Sequence, residues 1–171
     1  MSTPIIRTDR DRYAASSYDE SFCLKPPWLL WPAVLYLSRA ITLPIAVGIG
    51  SYAGVGADAI ALCRRLWSMD AVAPSLITMV FVLALCRRTP KASRFIRWIW
   101  ANGRMILILS ASVDLVIGLI SAIREGELDE QALASLVRVV IDGYFLSYFL
   151  VARRLRDTFA DFPEDPGSPA K

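Results

Sequence analysis

Four charged residues lie inside stretches that are otherwise apolar: Arg39, Asp114, Arg138 and Asp142. Asp114 stands in MILILSASVDLVIGLISA, and Arg138 and Asp142 are one helical turn apart in LVRVVIDGYF. Two guanidiniums and two carboxylates can pair with one another, pass protons, or hold an anion on an arginine. They do not make a nucleophile. The sequence has no histidine, which removes the usual neutral-pH base and the commonest metal ligand. Cys23, Cys63 and Cys86 are far apart and share no metal-site spacing. No catalytic residue, cofactor site or metal site is therefore assigned, and the protein is read as a non-enzyme.

Those charges need elements to hold them. The chain is 55% hydrophobic over 171 residues, and its apolar residues come in long blocks rather than at amphipathic spacing. Blocks at about 28–50, 68–86, 101–123 and 132–152 approach the roughly 20 residues that cross about 30 Å of hydrocarbon. Backbone groups in lipid must bond within their own segment, so each block is expected to be a helix. The predicted fold is an all-α membrane protein, a bundle of four transmembrane helices. Residues 1–27 precede the bundle, and 153–171 form a tail ending in FPEDPGSPAK.

Basic residues set the orientation. Arg7, Arg10, Arg12 and Lys25 precede span one, and Arg153, Arg154 and Arg156 follow span four. The loop CRRTPKASRFIRWIW carries five more, whereas the opposite loop REGELDEQ is acidic. Arg64 and Arg65 dissent and are outnumbered. Both termini are expected to face the cytoplasm, with Trp28, Trp31, Trp98 and Trp100 at that interface. Between spans one and two, GADAIALCRRLWSMD reads as an interfacial helix with Ile60, Cys63 and Trp67 on one face. Pro44 removes a donor from span one, and a kink is expected there.

Counting inward at 1.5 Å per residue, Arg39, Asp114 and Asp142 all lie about 15–16 Å deep. A lone charge at that level costs at least about 2.5 kcal/mol, and opposite charges at matched depth lower the cost if the helices meet. Asp114 shares its helical face with Leu107, Ser110, Ala111, Ile117, Gly118 and Ser121, small residues that permit close approach. A network of Arg39, Asp114, Arg138 and Asp142 inside the bundle is the predicted arrangement. It serves as structural glue or, alternatively, as a polar pathway or anion pocket.

Two stretches, YDESFCLKPPWLLWPAVLYLSRA (Tyr18 to Ala40) and YFLVARRLRDTFADFP (Tyr148 to Pro163), carry a resemblance. The chain resembles the YfeZ-like family of small, uncharacterised bacterial inner-membrane proteins. That resemblance implies a multi-pass inner-membrane protein and brings no activity or site residues. Physically, Arg153, Arg154 and Arg156 suit anionic lipid, and Phe159 and Phe162 are expected along the membrane surface, a face for lipid or a partner. The partners expected are the lipid bilayer, another membrane protein or further copies of the chain, and no nucleic acid. The functional expectation is an accessory or interaction subunit, with a small transporter or lipid-handling protein as the alternative.

Overall fold

The structure is a computed structural model that describes residues 13–18, 23–52, 54, 56–58, 60–61, 69–89, 92–125 and 130–163. It is all-helical, with one isolated antiparallel bridge between Tyr18 and Leu24 among the described residues. The helices are α1 (Leu30–Leu37), α2 (Arg39–Tyr52), α3 (Val72–Cys86), α4 (Arg94–Ala101), α5 (Gly103–Glu125), α6 (Glu130–Val151) and α7 (Arg153–Ala160). Three segments are long and apolar enough to cross a membrane: Met69–Cys86, Gly103–Arg124 and Leu133–Val151. The α1–α2 pair makes a fourth if it is counted as one bent span.

Helix α5 is central, packed along α6 and against α3. Small residues make both contacts close. A Cβ added at Gly118 would lie 3.2 Å from Val139 Cγ2 of α6. On the other side, the Thr78 and Ser110 hydroxyls meet at 2.7 Å, and Ser110 also donates to the Pro74 carbonyl at 2.8 Å. Arg104 of α5 closes the far end of α6 by donating to the carbonyls of Phe149 and Leu150, at 2.9 and 2.7 Å. A cation belongs there, since the last carbonyls of a helix lack intrahelical donors. The outward faces stay apolar, as Leu76, Leu83, Leu109, Val116, Leu136 and Val140 show.

The first span differs from expectation. It breaks by 85° at Ser38, ahead of Pro44, which sits inside α2. Ser38 folds its hydroxyl back onto the Val34 carbonyl at 2.7 Å, a contact that competes with the helical ladder. Across the break, Ser75 of α3 joins the two halves: its Oγ accepts from the Ala40 amide at 3.2 Å and donates to the Leu37 carbonyl at 2.8 Å. Pro32 costs α1 nothing, because it falls in the first turn, where no intrahelical acceptor exists.

The basic stretch before span three is also more ordered than a loop. Ser93 caps α4 by accepting from the Ile96 amide at 3.4 Å, and the third span starts only at Gly103, after a turn at Asn102. Trp28, Trp31 and Trp98 are exposed, but Trp100 is fully buried. The expected interfacial helix falls largely outside the described residues, including Cys63, Arg64, Arg65 and Trp67.

Candidate functional site: a buried arginine–aspartate cluster

Asp114 sits at mid-length in α5 with 0% exposure. The break at Ser38 starts α2 with Arg39, whose guanidinium reaches Asp114 in a fork: NH1 donates to Oδ2 at 2.7 Å and NH2 to Oδ1 at 3.0 Å. Parallel N–H donors and a carboxylate match in geometry, so this bidentate form is among the stronger ion pairs. Arg39 NH1 also donates to the Tyr36 carbonyl at 3.2 Å, and its guanidinium lies 4.4 Å from the centre of the Tyr36 ring. Arg39 thereby ties the end of α1, the start of α2 and the middle of α5.

A second guanidinium joins from α6. Arg138 NH2 donates to Asp114 Oδ1, so one carboxylate receives two cations. Asp142, one turn along from Arg138, is also fully buried, and its Oδ2 stands 4.0 Å from Arg138 Nε. Neither Asp142 oxygen accepts a hydrogen bond from the described residues, and Arg138 Nε donates none. The Tyr36 ring packs 5.6 Å from Phe145, one turn along α6 from Asp142, and its hydroxyl is buried without a hydrogen-bond partner among the described residues. The four residues predicted from sequence thus come together, but unequally. Three are tightly joined and Asp142 stands at the edge.

The cluster is closed. Both carboxylates have no exposure, and the arginine side chains retain only 11% and 16%. Charges this deep in low dielectric are held by one another at the cost of their hydration, and removing a single partner strands the rest. The arrangement can fix helix order and register.

A second assembly lies at one end of the bundle, and it revises the expected lipid-facing surface. Ala152, with ψ near 103°, is extended and turns the chain into α7. Helix α7 then faces Leu155, Thr158 and Phe159 inward at i, i+3, i+4. Phe159 is buried, with its ring 5.5 Å from Phe81 and 5.2 Å from Trp100, so it is a core residue and not part of a membrane surface. Phe162 is half-buried 6.4 Å from Trp100, under the Arg97 guanidinium. Arg153, Arg154 and Arg156 do remain exposed. The aromatic residues are consumed by packing, while the cations stay outside.

Polar contacts lock the same end. Trp100 Nε1 donates to the carbonyls of Thr158 and Asp161, at 3.3 and 3.2 Å. The Leu24 amide donates to Asp161 Oδ2 at 2.8 Å, and the Tyr13 hydroxyl to Asp157 Oδ2 at 2.8 Å. Arg88 stacks over Trp100 at 4.6 Å and donates to the Leu24 and Asp161 carbonyls. Gly103 is required here, because a Cβ would lie 2.8 Å from the Phe159 ring and 2.9 Å from that of Phe81. Sequence reasoning missed Ser75 and Gly103, counted Arg88 only as a loop charge, and placed Trp100 at the interface and not in the core. Of these, only Gly103, at the junction of an aromatic run and an apolar block, left a readable mark.

The two stretches that carried the resemblance therefore meet in space, the Leu24 amide donating to Asp161. The chain matches the family described as "Protein of unknown function (DUF2919)" over residues 13–161. It belongs to that family. The matched range holds both the charge cluster and the Trp100 end. No curated protein and no solved structure matches the chain.

Proposed function

We propose that this DUF2919 protein is a non-catalytic accessory or interaction subunit of the bacterial inner membrane, crossing it several times with both termini cytoplasmic. The finer YfeZ-like assignment is part of the same reading. What carries it is α2. Bent 85° away from α1, α2 buries only Ala40, and Ile45, Ile49 and Tyr52 are left uncovered. An apolar half-span that the bundle does not cover suits contact with another membrane protein or a second copy of the chain, whereas Arg39, Asp114 and Arg138 of the interior are used on one another.

The orientation is supported by the end at Trp100. The segment before α1, the α3–α4 connection and α7 are hydrogen-bonded together there. Lys25, Arg87, Arg94, Arg153, Arg154 and Arg156 lie on those segments and are exposed, in the pattern of a cytoplasmic side. The outward apolar faces of α3, α5 and α6 suit lipid contact.

The test is site-specific photo-crosslinking in native membranes from Ile45 and Ile49, with Val140 on the outward face of α6 as control. The expected result is one discrete protein adduct from both α2 positions and none from Val140. Lipid adducts alone at all three positions would overturn the reading. The alternative, a small transporter or lipid-handling protein, draws on the Asp142 carboxyl, whose oxygens accept no hydrogen bond; it predicts a flux or bound lipid that depends on that residue.

A further inference from the structure

Asp142 is the buried group that the cluster leaves unused. It lies within α6 at 0% exposure, and both carboxyl oxygens lack a hydrogen-bond donor among the described residues. The charged and titratable groups around it come from each element nearby. Helix α6 supplies Arg138, whose Nε stands 4.0 Å from Oδ2 and whose NH2 is committed to Asp114. Helix α5 supplies Asp114, a second carboxylate already receiving two guanidiniums. Helix α1 supplies Tyr36, whose ring packs 5.6 Å from Phe145, one turn along α6 from Asp142, and whose buried hydroxyl has no hydrogen-bond partner among the described residues; α2 supplies Arg39, whose hydrogen bonds go to Asp114 and the Tyr36 carbonyl. Helix α3, VAPSLITMVFVLALC, carries no titratable side chain before its terminal Cys86.

The two forms of the carboxyl place different demands on these neighbours. An ionised carboxylate needs several donors to offset its lost hydration. None is within hydrogen-bonding distance of Asp142 among the described residues: the Arg138 Nε–H stands 4.0 Å off, while Arg138 NH2 is held by the competing carboxylate. A neutral acid needs little, since it has one O–H to give and one carbonyl oxygen to receive with. The Tyr36 hydroxyl, donor and acceptor at once and otherwise unpartnered, matches that requirement.

We propose that Asp142 is a proton-binding site: its carboxyl is carried as the neutral acid, beside Tyr36 and the Arg39–Asp114–Arg138 triad. When the O–H bond breaks and the proton passes to a water or buffer base, the electron pair stays on the carboxylate and draws in Arg138 Nε–H. Arg138 is then shared between two anions, and its hold on Asp114 weakens. Proton occupancy at Asp142 is thereby coupled to the contact between α5 and α6. The inference is independent of the accessory reading, which rests on α2.

The experiment is infrared spectroscopy of the full-length protein in lipid nanodiscs, comparing wild type with Asp142→Asn near neutral pH. Wild type is expected to show a protonated-carboxyl stretch that shifts in D2O, and the variant to lose it. Because Asn is close in shape to the neutral acid, Asp142→Asn should also keep the wild-type melting temperature. Raising the pH in wild type should abolish the band and move the arginine guanidinium bands with it. No protonated-carboxyl band in wild type, a band undiminished in Asp142→Asn, or a variant that fails to fold would each overturn the proposal. Loss of the band with the guanidinium bands unmoved would overturn the coupling to Arg138.

Discussion

Ser75→Ala removes a hydroxyl that holds the broken first span together from a neighbouring helix. Ser75 is fully buried and makes two bonds, accepting from the Ala40 amide and donating to the Leu37 carbonyl. Beyond the break, the Ile41 amide donates to Ser38 rather than to Leu37, so Ser75 is the donor to that buried carbonyl. A typical intramolecular hydrogen bond contributes about 0.5–1.5 kcal/mol net, and a stranded buried acceptor costs about 1–3 kcal/mol. The expected loss is therefore about 1.5–4.5 kcal/mol, a factor of about 10 to 2,000 in the folding equilibrium. Reversible unfolding in mixed micelles measures it, and hydrogen exchange should show the Ala40 amide losing protection before those of α5. If Ser75→Ala unfolds within about 0.5 kcal/mol of wild type, the range of an unremarkable substitution, and Ala40 stays protected, the break does not depend on Ser75.

Two further outcomes concern the Trp100 end. Gly103→Ala pushes a methyl into the Phe159 and Phe81 rings and should cost about 1–3 kcal/mol as an overpacked site, measured by the same unfolding assay. Trp100→Phe keeps a ring but loses the indole N–H that reaches Thr158 and Asp161. It should cost about 1–3 kcal/mol through the carbonyls left without that donor. Amide exchange should then quicken in α7 while α5 and α6 are unaffected.

The sequence made the long helices and the charge cluster legible because each has a local signature. Asp114 could be assigned a packing face from Ser110, Ala111 and Gly118 one turn at a time, and those residues are indeed buried. Matched depth put Arg39, Asp114 and Asp142 at one level, and Arg138 joined them through its one-turn spacing from Asp142. The division of labour among the four was not readable, since it depends on which carboxylate Arg138 selects, a matter of a few tenths of a nanometre set by three helices at once. The break at Ser38 was hidden for a similar reason: Pro44 is the visible breaker, whereas Ser38 acts with a serine of α3. Phe159 and Phe162 looked amphipathic beside their arginines, and only the turn at Ala152 decides that they face Trp100.

Asp114 is the shared anion that holds α2, α5 and α6 in one arrangement, and a double-mutant cycle between Arg39→Gln and Asp114→Asn measures that coupling. Unfolding is measured for both single variants and the pair in nanodiscs or mixed micelles. Removing one partner of a buried pair is expected to cost about 3–5 kcal/mol, so Asp114→Asn, which strands two guanidiniums, should fall in that range. The second substitution should then add less than it costs alone, with a coupling energy of at least about 1 kcal/mol. Additive losses, or an Asp114→Asn protein as stable as wild type, would contradict the account.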